Sequence, residues 1–182
     1  EGITFAGTAA GVGVIRNGKY ERTIAEERFA RALHPQNGRL LVGTQEDGVV
    51  VVDLTPARRR RPLDAQETSA PATVHRIGPV GDRVLAAGSD GLYTTSGERV
   101  LAPDRALLTD GNISAVAVDP GGRAWIGYFD RGLDIVEPDF SRVRHIEDDN
   151  LFCVNRIVVP PDGNAAVATA NGLVLFDAAM QK

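Results

Sequence analysis

Apolar residues along this chain fall in short runs, Val49–Val52, Val84–Ala87 and Leu173–Phe176 among them, each closed by Asp or Gly. Runs of that length bounded by turn formers predict β-strands joined by tight hairpins. Polar and apolar residues alternate instead over Arg142–Ile146, as on a strand with one wet face. The pattern recurs. Gly43-Thr44 leads to Gly48 and a valine run, Gly88-Ser89 to Gly91-Leu92-Tyr93, and Gly127-Tyr128 to Gly132-Leu133-Asp134-Ile135-Val136. Ala168-Thr169 leads to Gly172 and Leu173–Phe176, and Gly7-Thr8 to Gly11 and Val12–Ile15. A period of roughly 36–45 residues in strands and turns alone predicts an all-β β-propeller of antiparallel blades.

The fourth unit sets the frame. Ile113–Val118 is a first strand, Asp119–Gly122 a turn, Ala124–Tyr128 a second strand, Leu133–Glu137 a third and Arg142–Ile146 an outer one. Inner strands in the other units are expected at Phe29–Leu33, Thr73–Ile77 and Val154–Val159. The repeats run approximately 1–28, 29–72, 73–112, 113–153 and 154–182, about four to five blades in one β-propeller segment. Residues 55–72, with the arginine run Arg58–Arg61, are irregular and stand where an outer strand or an inter-blade loop belongs, and their composition favours a solvated loop. By this count the first unit lacks its inner strand and the fifth its outer one. The expectation is therefore a larger propeller, completed by missing chain segments or by a protein partner.

Glycine in or beside the second strand is read as making room for the neighbouring blade. Glycine at positions 11, 48, 91, 132 and 172 supplies the positive φ of a short hairpin.

Ile113-Ser-Ala-Val-Ala-Val-Asp-Pro-Gly-Gly-Arg-Ala-Trp-Ile-Gly-Tyr128 resembles the two-component regulator propeller repeat: apolar strand, Asp-x-x-Gly turn, Leu-Trp-Ile-Gly-Thr and a Gly-Leu strand. Gly38–Thr44 and Gly163–Thr169 are similar, though only one unit has the tryptophan. The resemblance implies an extracytoplasmic sensory or binding domain, in periplasm or cell envelope. It carries no fixed catalytic set.

Composition narrows the chemistry. The net charge of -4 argues against nucleic acid, even with four successive arginines, because no aromatics are interleaved with them. One cysteine, Cys153, excludes an internal disulfide and is read as a small buried residue. No nucleophile elbow, phosphate loop, zinc helix or calcium loop is present, so no cofactor, metal or enzymatic activity is expected. His34, in a turn, His75 and His145 lie on different strands and are not expected to converge.

One constellation stands out. With the inner strands aligned from Phe29, the third position holds Arg31, Arg76, Ala115 and Arg156, and the second Ala30, His75, Ser114 and Asn155. Arg31, Arg76, Arg156, His75 and Asn155 are thus the expected ligand-binding set at the channel mouth, suited to an anionic small molecule. The competing reading pairs each arginine with an acidic turn residue of the next blade. The alternatives to a sensor are an accessory subunit of a larger membrane-associated assembly, membrane-bound through a partner, and a lyase-like propeller enzyme. Trp125 is expected to be buried between blades.

Overall fold

The computed structural model describes residues 2–54, 66–68, 71, 73–80, 83–101, 108–141 and 143–182. Five antiparallel meanders follow one another. The first is β1 (Ile3–Thr8), β2 (Gly11–Arg16) and β3 (Lys19–Ile24). The second is β4 (Ala30–Gln36), β5 (Arg39–Thr44), β6 (Val49–Asp53) and β7 (Gln66–Thr68), and the third β8 (Val74–Val80), β9 (Arg83–Gly88), β10 (Gly91–Thr94) and β11 (Arg99–Leu101). The fourth is β12 (Ile113–Val118), β13 (Ala124–Tyr128), β14 (Leu133–Val136) and β15 (Val143–Ile146). The fifth is β16 (Val154–Val158), β17 (Ala165–Thr169) and β18 (Gly172–Phe176).

Strands β4, β8, β12 and β16 contact one another in succession and are the inner strands of a propeller. β1 meets β4 as β5 meets β8 and β13 meets β16, so β1 is a second strand. Among the described residues, the first sheet therefore has no inner strand and the fifth no outer one. Among the described residues no strand pairing joins these two sheets.

The core lies between sheets, which is why second and third strands are apolar on both faces. Trp125, Leu133 and Ile135 of the fourth sheet pack on Val154, Val167 and Phe176 of the fifth. Trp125 is wholly buried, as its place in the repeat predicts, with its ring edge-on to Phe176. Its indole N–H donates to Asp119, whose carboxylate also accepts from the Arg123 backbone and guanidinium. One turn residue thus ties the β12–β13 hairpin to the core. A Cβ on Gly127 would stand 2.3 Å from Val154 of the next blade, and on Gly43 2.5 Å from Val74. Close blade approach, not turn geometry, fixes those two glycines.

Several expectations need correcting. His34 sits within β4, which runs on to Gln36, so the turn is at Asn37-Gly38. Cys153 is only half-buried and precedes β16 with a left-handed backbone. Within 55–72, Gln66–Thr68 forms the outer strand of the second sheet and pairs with β6. The Arg58–Arg61 run lies outside the described residues. Gly88 pairs with Val74 as Thr44 pairs with Ala30, so the glycine of the third unit stands one place later than Gly43.

Candidate functional site

The inner strands share a defect. In β4 the ladder steps from Ala30–Thr44 to Ala32–Gly43, leaving Arg31 without a cross-strand partner. β8 does the same at His75, β12 at Ser114 and β16 at Asn155. A one-residue bulge bends a strand and re-aims the side chain it carries. Here it recurs at one point in all four inner strands.

The bulge shifts the expected alignment by one place in the second blade. Arg31 belongs with His75, Ser114 and Asn155, and the next position holds Ala32, Arg76, Ala115 and Arg156. Arg31 therefore does not share a register position with Arg76 and Arg156, because β4 starts at Ala30 and not at Phe29. A signal for this is present in the sequence. Ala30 and Leu33, Val74 and Ile77, Ile113 and Val116, and Val154 and Ile157 are apolar pairs three apart, a spacing that an unbroken strand of period two does not produce.

Although offset, the three arginines come together. Arg31 donates to the Gln45 side chain, and the Gln45 carbonyl accepts from Thr73, two residues before His75. Arg76 donates to the carbonyls of His75, at 3.0 Å, and of Asn155, at 3.2 Å. That second bond bridges the third blade to the fifth and sets Arg76 beside Arg156. Burial, together with the fields of Arg156 and Arg31, holds the Arg76 guanidinium below its ordinary value. Burial, then Arg31 and Arg76, push the His75 imidazole down as well, favouring its neutral form. His75 Nε2 lies 3.1 Å from Ser89 Oγ, its ring meets Phe129 edge-on at 6.0 Å, and its Nδ1 is buried without a partner.

The competing reading, in which each arginine pairs with an acidic turn residue, does not describe these contacts. Ion pairs among the described residues involve Arg16, Arg28, Arg99, Arg123 and Arg131, but none of the three site arginines. Ser114 has a different task. Its hydroxyl donates to the carbonyls of Gly127 and Val154 and ties the fourth blade to the fifth.

A second polar cluster escaped the repeat reading. The fully buried carboxylate of Asp134 accepts from the Tyr128 hydroxyl and from the Thr109 backbone and hydroxyl, and lies 2.8 Å from His145 Nδ1. His145 Nε2 reaches Glu147 at 3.0 Å. Burial lowers the His145 affinity for a proton, but hydrogen bonds with Glu147 and Asp134 outweigh it and its pKa stands above the ordinary value. The cluster clamps β15 onto β14. Among the described residues no three His, Cys, Asp or Glu side chains stand together as a metal site.

The fold is that of the β-propellers. The extracellular domain of a hybrid two-component system from B. thetaiotaomicron superposes with a TM-score of 0.74 at 22% identity, over 97% of this chain and 25% of that one. The extracellular domain of a one-component system from the same organism gives 0.75 at 17% identity, over 100% and 26%. The WD40 β-propeller domain of Doa1 gives 0.68 at 13% identity, over 96% and 60%. This chain thus spans about a quarter of the length of each of those two extracellular domains. No family model and no curated protein matches the sequence.

Proposed function

We propose that this chain is part of an extracytoplasmic, non-catalytic sensor propeller that takes an anionic ligand at the mouth of its channel. The observation that carries the reading is the meeting of Arg31, Arg76 and Arg156, from three blades, with no carboxylate paired to them among the described residues. An acidic protein has carboxylates to spare for neutralising its arginines, and leaving these three unpaired favours an external anion. The structural likeness to extracellular domains of one- and two-component systems supports the compartment. The test is a fusion of alkaline phosphatase to the natural gene product after Lys182. Phosphatase activity in intact cells is expected, and an inactive fusion beside a fluorescent cytoplasmic one overturns the reading.

A second reading, a subunit of a larger assembly, is favoured by the exposed apolar face of the fifth sheet, where Val158, Leu173 and Leu175 stand open. It predicts recovery of the protein with a second chain at fixed stoichiometry.

A further inference from the structure

The channel mouth has a chemistry more specific than positive charge. It draws guanidinium groups from the second, third and fifth blades, and each is presented differently. Arg76 is anchored: two of its five N–H donors are held by the His75 and Asn155 carbonyls, which fix the plane of the fork. Arg31 is steadied at one point by Gln45, which the third blade in turn holds through Thr73. The Arg156 side chain makes no hydrogen bond or ion pair among the described residues, and the residue is exposed. The fourth blade has the buried Ala115 at the matching register position and adds no arginine to the set.

A planar guanidinium binds an oxyanion edge-on through paired donors, so one carboxylate or one phosphoryl group occupies one fork well and a second poorly. A monoanion would neutralise a single arginine and leave two like charges beside each other. Repulsion of that kind is relieved only when the charges are met together. His75 lies near Arg31 and Arg76 with Phe129 against its ring, adding a neutral, partly apolar body to the site rather than a fourth cation.

We infer that the mouth is a site for a small polyanion carrying at least two oxyanion groups, held between Arg76 at its centre and Arg31 and Arg156 on either side. The shared chemistry is paired carboxylate or phosphoryl oxygens. This rests on the binding reading proposed above but not on the compartment, so the phosphatase fusion and the experiment below can fail separately.

The test is calorimetric titration of the chain with citrate, inorganic pyrophosphate and acetate at matched low ionic strength, with thermal unfolding in parallel. Citrate binding identifies a polycarboxylate site and pyrophosphate binding a phosphoryl site. Either is expected at least tenfold tighter than acetate, with a rise in unfolding temperature. The triple variant Arg31→Ala, Arg76→Ala, Arg156→Ala is expected to lose both the heat and the rise. All three residues are exposed, so the unliganded variant should keep one cooperative thermal transition, which reports that it folds. The triple Arg→Lys variant keeps the charge but not the fork, and is expected to bind at least tenfold more weakly than the parent. Acetate equal to citrate and pyrophosphate, no binding by any of the three, or an undiminished response in the alanine variant each overturns the proposal.

Discussion

The fourth and fifth blades carry the same alternation on the face that looks to the following blade, yet only one of these faces is covered. Ala117, Trp125, Leu133 and Ile135 hold this face on the fourth blade, and the ladders match them to Val158, Ala166, Leu173 and Leu175 on the fifth. Leu133 is fully buried and Ile135 is 2% exposed, whereas Leu173 and Leu175 are 65% and 62% exposed. Sequence pattern alone does not separate the two. What separates them is a neighbour, so burial here is a property of the stack and not of the blade. The first blade makes the contrast sharper. Its free face carries Thr4, Ala6, Gly13 and Ile15, small or only partly apolar, and it would meet an adjoining blade less greasily.

The largest test of this contrast is an exchange of the matched pair. Trp125→Ala should cost about 3–5 kcal/mol in denaturant unfolding, because it opens a cavity between two packed sheets. Ala166→Trp, at the matching free position, should shift stability by less than about 0.5 kcal/mol. Trp125 is the sole tryptophan, so its emission, expected blue and quencher-resistant, reads that interface directly. Equal costs in the two variants would erase the distinction between covered and free faces.

Next comes a charge on each face. Ile135→Asp should prevent folding, while the pair Leu173→Asp and Leu175→Asp should leave the unfolding midpoint nearly unchanged and reduce binding of an apolar dye. Unchanged dye binding would show that the exposed patch lies elsewhere.

Smaller effects come from the two carboxylate clusters of the fourth blade. Burial pushes the Asp119 carboxyl up, but hydrogen bonds from the Arg123 backbone, Trp125 and the Arg123 guanidinium win, and its pKa is lowered from 3.8. Its stabilising contribution is therefore present above 3.8 and lost as pH falls through the lower folded value. Asp119→Ala should cost about 1–3 kcal/mol at neutral pH by stranding buried donors. It should also flatten the acid limb of the stability profile.

The smallest effect is at His145, whose folded pKa lies above 6.5. That contribution is complete below 6.5 and disappears as pH rises through the folded value. The unfolding temperature should fall slightly across that alkaline window, and His145→Gln should remove the step. A step of the opposite sign would mean that His145 is neutral in the fold.

How much of this was legible follows from what each signal depends on. Strand and turn positions in the fourth blade could be read because Asp119–Gly122 and Gly132 punctuate apolar runs, and local chemistry sets hairpins. The arginines could be selected because inner strands line a propeller's axis. Their register could not be set by counting from Phe29, since that residue is exposed and precedes the strand. Only the three-residue spacing of apolar pairs such as Val154 and Ile157 encodes the bulge. The Asp134 cluster was hidden for another reason: Thr109, Tyr128 and His145 are far apart in sequence, and while strand pairing sets His145 opposite Asp134, Thr109 reaches it from a loop. Exposure of Leu173 and Leu175 depends on what lies beside them, and no residue of their own strand records it.

The repeated bulge has a consequence for how such a protein can change. A residue in a ladder answers to its partner across the strand, and one between sheets answers to the volume it must fill. The bulged residue has no ladder partner, and in this chain it is arginine, histidine, serine and asparagine in four successive blades, of which only the serine is buried between sheets. The flanking Ala30, Val74, Ile113 and Val154 are all buried and apolar. Outside the fourth blade, where Ser114 ties two sheets together, each inner strand thus offers one position that can be exchanged while the frame that displays it stays fixed.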